Sequence, residues 1–227
     1  MIQDALNRLL AGEMVLLYDF DDRERETDFA MRSDKVTPKD ICRMRHDGGG
    51  LICTAIAWQA AKRLGIPFAS EILRDCAMVE KIGDIPYDPN NNSSFSLWVN
   101  HRDTFTGITD RDRTLTVNKI AAIVDEILAG GTPSFSAGFR TPGHMPILIA
   151  AEKLLSQRHG QTELSVTLAE MAGFVPAVTI CEMLDDTTGL ALSKRDAQKY
   201  ATKHGLAFIE GADVLAVFEE ERCQSNQ

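Results

Sequence analysis

An apolar run, Met14-Val15-Leu16-Leu17-Tyr18, passes directly into DFDDRERETD at residues 19–28. The first segment reads as a short apolar strand, Met14 to Phe20, that runs into the acidic loop. The second packs six carboxylates and two arginines into ten residues. Burying the strand therefore delivers a dense acidic loop to its C-terminal end. A plain turn needs one or two acids for its local hydrogen bonds. Carboxylates flanked by arginines can also hold a hard cation and a sugar hydroxyl together, because Mg²⁺ commonly takes one or two carboxylates plus substrate oxygens. The arginines offset the repulsion and can fork onto an anion. A solvated acidic turn is the competing reading of such a run taken alone.

The rest of the chain alternates between strand and helix signals. Residues 2 to 11 place Ile2, Leu6, Leu9 and Leu10 on one helical face, stopped by Gly12. Thr37-Pro38-Lys39-Asp40 is a helix start, with Thr as cap and Pro in the first turn. That helix is expected to end at Gly48-Gly49-Gly50, before a strand from Leu51 to Ala57. Trp58 to Leu64 reads as helix closed by Gly65, and Gly83 to Ser94 as loop. Phe95, Leu97 and Val99 alternate as in a strand. Thr116 to Leu128 reads as helix. Helical material is expected after SAGFRTPGHMP, and a break at Arg158-His159-Gly160. Thr162 to Ala172 reads as helix capped by Thr162, Ala177 to Met183 as a buried strand, Ser193 to His204 as a capped helix, Leu206 to Ile209 as a strand and Ala212 to Glu221 as a closing helix. This alternation, without repeat or linker, predicts an α/β (α+β) fold: a single layered domain over residues 1–227, with helices packed around a mixed sheet.

Composition bounds the function. A hydrophobic share of 44% supplies a sizeable core, and a net charge of −9 argues against a nucleic-acid partner. It leaves room for a small anionic substrate, since local arginines can dominate a cleft. The five cysteines, Cys42, Cys53, Cys76, Cys181 and Cys223, show no zinc spacing and suit reduced thiols. Asp4 and Asn7 interrupt the N-terminal apolar residues, unlike a signal-peptide core, and no apolar run reaches the ~18 residues of a membrane span. A soluble cytoplasmic protein without a membrane partner is expected.

Beyond the acidic loop, three stretches could carry chemistry. FRTPGHMP presents His144 in a Gly/Pro frame, suited to acid-base work near neutrality; an ordinary surface histidine is the alternative. RHGQTE, Arg158 to Glu163, precedes a helix and could seat an anion on the helix N-terminus; simple capping is the alternative. Glu182, inside an apolar strand, is costly unless paired or working, and burial would raise its pKa toward the range useful for proton transfer. A structural salt bridge competes. Cys53 and the TGITD stretch at 106–110 could also approach such a site, the former more simply as a small buried hydrophobe.

Taken in order, YDFDDRERETD, DGGGLICTA, SFSLWVNHRDTFTGITDRDRT, FRTPGH, RHGQTEL and TICEMLDD make the chain resemble the 3,4-dihydroxy-2-butanone 4-phosphate synthase family in its archaeal-type single-domain form. The resemblance implies a lyase of riboflavin biosynthesis. It would convert D-ribulose 5-phosphate to L-3,4-dihydroxy-2-butanone 4-phosphate and formate, through a metal-stabilised enediolate and a skeletal rearrangement. It further implies Arg23 and Glu24 at the sugar phosphate and metal, Asp28 on substrate hydroxyls, and Arg158, His159, Gly160, Gln161 and Thr162 around the phosphate. His144 and Glu182 become the catalytic acid-base groups, with Glu182 also touching substrate. The cofactor implied is Mg²⁺ (or Mn²⁺), held by Glu24 and by position 161. The assembly implied is a homodimer with the active site at its interface and the histidine donated across it. A fused GTP cyclohydrolase II domain is not expected.

One position departs from the pattern. The family motif reads Arg-x-Gly-His-Thr-Glu with the histidine on the metal, whereas this chain has Gln161. An amide oxygen suits Mg²⁺ better than softer ions. Two other readings share these residues: a different metal-dependent phosphosugar isomerase or aldolase, and a silent phosphosugar sensor. A sensor needs a phosphate seat but no proton-transfer groups.

Overall fold

The structure, a computed structural model, describes residues 2–74 and 83–225. Cys76 lies outside them; Cys42, Cys53, Cys181 and Cys223 are free thiols. Among the described residues, β1 (Val15–Tyr18), β2 (Thr27–Arg32), β3 (Cys53–Ile56), β4 (Phe95–His101), β5 (Phe139–Ile149), β6 (Ala177–Glu182) and β7 (Phe208–Glu210) form one sheet in the order β4-β5-β3-β6-β2-β1-β7. The β3–β5 and β1–β7 pairs are parallel and the remainder antiparallel, so the sheet is mixed, as expected.

Helices cover both faces: α1 (Ile2–Ala11), α2 (Pro38–Arg43), α3 (Trp58–Leu64), α4 (Ala69–Ile72), α5 (Asp110–Leu128), α6 (Phe135–Gly138), α7 (Gln161–Ala172), α8 (Lys194–His204) and α9 (Gly211–Ser225). Strand alternation assigns the faces. Val15 and Leu17 join Ala30, Val178 and Ile180 against Leu6, Leu9, Leu164, Leu168 and Val214 of α1, α7 and α9. Leu16, Phe29 and Cys181 pack the other way, against Ile41, Val117 and Ala201. Toward β5, Ile120 and Val124 of α5 with Ala60 of α3 cover Ile56, Ile147 and Ile149. Full burial of these large side chains supplies the stabilisation, at roughly 1.5–3 kcal/mol each before entropy is counted.

Three sequence expectations need correction. Thr27–Arg32 is a strand, β2, that pattern reading passes over because Asp28 sits among its buried residues. The segment expected to turn helical after SAGFRTPGHMP is instead β5. Its Ile147, Leu148 and Ile149 pair with Thr54, Ala55 and Ile56, and such a short, continuously apolar run suits a central strand as well as a helix. The long helix starts at Asp110 rather than Thr116, because Thr109 caps it by accepting from the Asp112 N–H at 3.1 Å.

β5 also re-aims a histidine. Its register against β4 jumps from Val99↔Met145 to Asn100↔Arg140, leaving Thr141-Pro142-Gly143-His144 as an outward bulge. A Cβ on Gly143 would sit 2.1 Å from the Val99 carbonyl carbon, so only glycine permits this approach. The bulge ends with the His144 N–H donating to Asn100 Oδ1 at 2.9 Å.

Candidate active site

The register of β2 against β6 makes Asp28 and Glu182 direct partners at one end of the sheet. Asp28 shares a face with Ala30, and Glu182 with Ile180 and Val178, so both carboxylates point to the α7 side. There they line a cavity of about 340 Å³ with Glu24, Glu26, Arg158, Gln161 and Thr162. Cys53, Tyr87 and Ser94 are also part of its wall. An adjoining cavity of about 230 Å³ is bounded by Arg23, Asp88, Arg158 and His159.

The acidic loop has an internal division of labour. Asp19, 1% exposed, folds it by accepting from the Glu24 N–H at 2.9 Å and the Glu26 N–H at 2.9 Å. Asp21 takes the Tyr18 hydroxyl at 2.7 Å, and its carbonyl takes Arg25 Nε. Arg23 pairs with Glu24 at 2.9 Å. Only Glu24, Glu26 and Asp28 reach the main cavity. The crowding thus serves two ends, loop folding and cavity charge.

Glycines set the far wall. The Leu51 N–H donates to Glu182 Oε2 at 2.7 Å, and a Cβ on Gly50 would sit 2.4 Å from that oxygen. Gly50 is therefore part of the site, although its sequence context reads as a helix stop; the helix in fact widens into a π turn over Met44–Gly48. Gly160 is the N-cap of α7, not Thr162, which lies inside the first turn. Glu163, fully buried, accepts from Arg158 Nη1 at 2.6 Å and from the Ala151 N–H at 2.8 Å, fixing the guanidinium over the cavity.

Gln161 shows why an amide can stand at this position. Its Nε2 donates to the carbonyls of Leu17 at 3.0 Å and Glu26 at 3.2 Å. Two acceptors on one side fix the amide's orientation, and Oε1 is left buried and unpartnered among the described residues. An orphan carbonyl oxygen on a residue lining the same cavity as Glu24 is the kind of donor that fits a hard cation. No three His, Cys, Asp or Glu side chains among the described residues gather as ligands, so Glu24 and Gln161 with substrate and water oxygens form the fitting set.

The electrostatics follow from burial. Asp28 is 1% exposed and neither carboxylate oxygen has a hydrogen-bond partner among the described residues. Burial, then Glu182, Glu24, Glu26 and Asp19, push its carboxyl well above the usual range. Burial and the same neighbours push Glu26 up to about 7, and burial raises Asp19 to about 6 against its backbone donors. Glu182 is also raised, mainly by burial, with the Leu51 N–H opposing. Among these residues His144 stands apart: exposed on its bulge, it does not line the cavity of its own chain.

These carboxyls bind protons more tightly in the folded state than in the unfolded chain, whose values lie near 4. The contribution of Asp19 and Glu26 to stability is full below that value and lost as pH rises through about 6 and about 7, and that of Asp28 and Glu182 is likewise lost toward high pH. Asp28→Asn should therefore raise the melting temperature of the metal-free protein at pH 7.5, at roughly 2–4 °C per kcal/mol relieved, and change it little at pH 4. Thermal unfolding at the two pH values checks this; a lower melting temperature at pH 7.5 would refute it.

Comparison with known proteins gives the family and the fold. The family model described as 3,4-dihydroxy-2-butanone 4-phosphate synthase matches residues 3–217. The 3,4-dihydroxy-2-butanone 4-phosphate synthase of Archaeoglobus fulgidus is 50% identical, over 97% of this chain and 94% of the relative. That of Methanothermobacter thermautotrophicus is 45% identical, over 98% and 97%. The riboflavin biosynthesis protein RibBA of Bacillus subtilis is 33% identical, with 94% of this chain covering 48% of that protein. Among solved structures, a 3,4-dihydroxy-2-butanone 4-phosphate synthase in complex with two magnesium ions superposes with a TM-score of 0.80 at 26% identity, over 96% of each chain. With nearly its whole length matched in sequence and fold, this chain belongs to the 3,4-dihydroxy-2-butanone 4-phosphate synthase family of enzymes.

Proposed function

We propose that the chain converts D-ribulose 5-phosphate to L-3,4-dihydroxy-2-butanone 4-phosphate and formate, as a step of riboflavin biosynthesis, with residues 1–227 acting as one catalytic unit. The observation that carries this reading is the convergence of Glu24, Asp28, Arg158, Gln161, Thr162 and Glu182 on one cavity. Arg23, Arg158 and His159 of the adjoining cavity, with the N-terminal turn of α7 that lines the main one through Gln161 and Thr162, offer a phosphate its seat. Phosphate anchoring holds a flexible sugar in one pose, so that remote binding energy serves the reacting carbons.

Mg²⁺ or Mn²⁺, held by Glu24 and Gln161, supplies a Lewis acid for the ketone oxygen when bound. Asp28 grips substrate hydroxyls with oxygens that no protein group occupies among the described residues. Glu182, with a carboxyl raised by burial, exchanges protons with the sugar near neutrality. His144 is the second proton-transfer group and comes from a second copy of the chain. The side chains exposed near its bulge include Trp98 at 47% and, in the following loop, Phe105 at 94% and Ile108 at 52%, an apolar surface suited to a partner subunit.

Incubation with ribulose 5-phosphate and Mg²⁺ should release formate, and Glu24→Ala should cut the rate at least about 100-fold. No formate from the wild type with either Mg²⁺ or Mn²⁺ would sink the assignment. The shared site has its own test. Glu24→Ala and His144→Ala subunits, each inactive alone, should recover about a quarter of wild-type activity when refolded together, because half the dimers then hold one intact site. Recovery of none would place His144 and Glu24 in the same subunit's site.

A further inference from the structure

Asp88 occupies the place of a ligand. It lies in the loop from Gly83 to Ser94, with Oδ1 accepting from Asn91 at 3.0 Å and Oδ2 facing the arginines. Oδ2 is 3.6 Å from Arg23 Nη2 and 4.0 Å from Arg158 Nε. Those are Coulombic distances without hydrogen bonds: Arg23 Nη2 and Arg158 Nε are buried and without a hydrogen-bond acceptor among the described residues, while Arg23 Nη1 is ion-paired with Glu24 at 2.9 Å. The adjacent Tyr87 donates its hydroxyl to Glu24, and the Arg23 guanidinium lies over its ring at 5.4 Å. Tyr87 and Arg158 line both cavities, so the tip of this loop stands between the space for a sugar and the arginine seat.

A carboxylate brings one negative charge and leaves these N–H groups unsatisfied. A phosphate brings nearly two charges and three strong acceptors, and it cannot share the seat with a carboxylate. A neutral hydroxyl displaces neither charge. We infer that Asp88 is a specificity-determining residue, a phosphate surrogate that keeps the two arginines paired and yields them only to a phosphorylated ligand. This rests on the reading of Arg23 and Arg158 as the phosphate seat. Displacing Asp88 also draws Tyr87 away from Glu24, so phosphate recognition opens the passage between the two cavities.

The probe is inorganic phosphate, titrated calorimetrically into the wild-type protein, Asp88→Asn, Asp88→Glu and Arg158→Ala. Asp88→Asn keeps the oxygen that Asn91 uses and removes only the competing charge. It should bind phosphate about five- to tenfold tighter, since the lost pair is only partly exposed. The KM for ribulose 5-phosphate should fall by a similar factor, with kcat changing less. Asp88→Glu should stay near the wild type, and Arg158→Ala should lose binding. Equal or weaker phosphate binding by Asp88→Asn, with the wild type binding, overturns the surrogate role and leaves the seat standing. Failure of both proteins to bind phosphate overturns the seat and the inference together.

Discussion

The antiparallel register that sets Asp28 opposite Glu182 is the constraint on which the rest of the molecule turns. One residue of slip in β2 would send Asp28 to the α5 side and bring Phe29 to the cavity, parting the two carboxylates. In this register the interior end of the sheet gathers Asp28, Glu182, Glu26 and Glu24 around one space. Like charges in a poorly solvated site repel at several kcal/mol when a few ångströms apart, at an effective dielectric of ~20. The sheet core and the helices on both faces hold that arrangement in place. Under the proposed function, a cation or a sugar entering the site would offset that cost and so stabilise the native state.

The surrounding parts hold this charge cluster in place, with Arg23 pairing with Glu24 at 2.9 Å. Asp19 organises the loop through backbone N–H groups, so Glu24 is presented rather than buried. Gln161 is turned by two carbonyls until its oxygen faces the cavity. Glu163 holds Arg158 from behind, and Gly50 lets Glu182 lie flat against the chain. Each contact leaves a donor or acceptor available on the ligand side. A site tuned for stability alone would have closed those valences.

Much of this was legible in the amino-acid order. Elements with strong punctuation were readable to within a residue or two: α1 before Gly12, α3 before Gly65 and α8 after Ser193. So was the meeting of the acidic loop, the RHGQTE stretch and Glu182, through their joint resemblance to one family. What stayed hidden depended on tertiary context. β2 was masked by its buried Asp28, and β5 by an apolar run that reads equally as helix until β3 pairs with it. Glu26, Gly50, Tyr87 and Asp88 join the site through contacts with residues far away in sequence, which no local pattern announces. His144 was singled out by its Gly/Pro frame, yet its frame is a four-residue bulge between paired strands rather than a free loop.

The central claim is that Glu24 and the Gln161 amide oxygen, which is unpartnered among the described residues, form a seat for a hard divalent ion. Mn²⁺ binding followed by electron paramagnetic resonance at pH 7.5 tests it without reference to turnover. Gln161→Leu, which keeps the volume and removes the oxygen, should weaken Mn²⁺ by at least about tenfold while the fold and its melting temperature are retained. Unchanged Mn²⁺ affinity in a folded Gln161→Leu protein would contradict the account, since the orphan oxygen would then have no ion to hold.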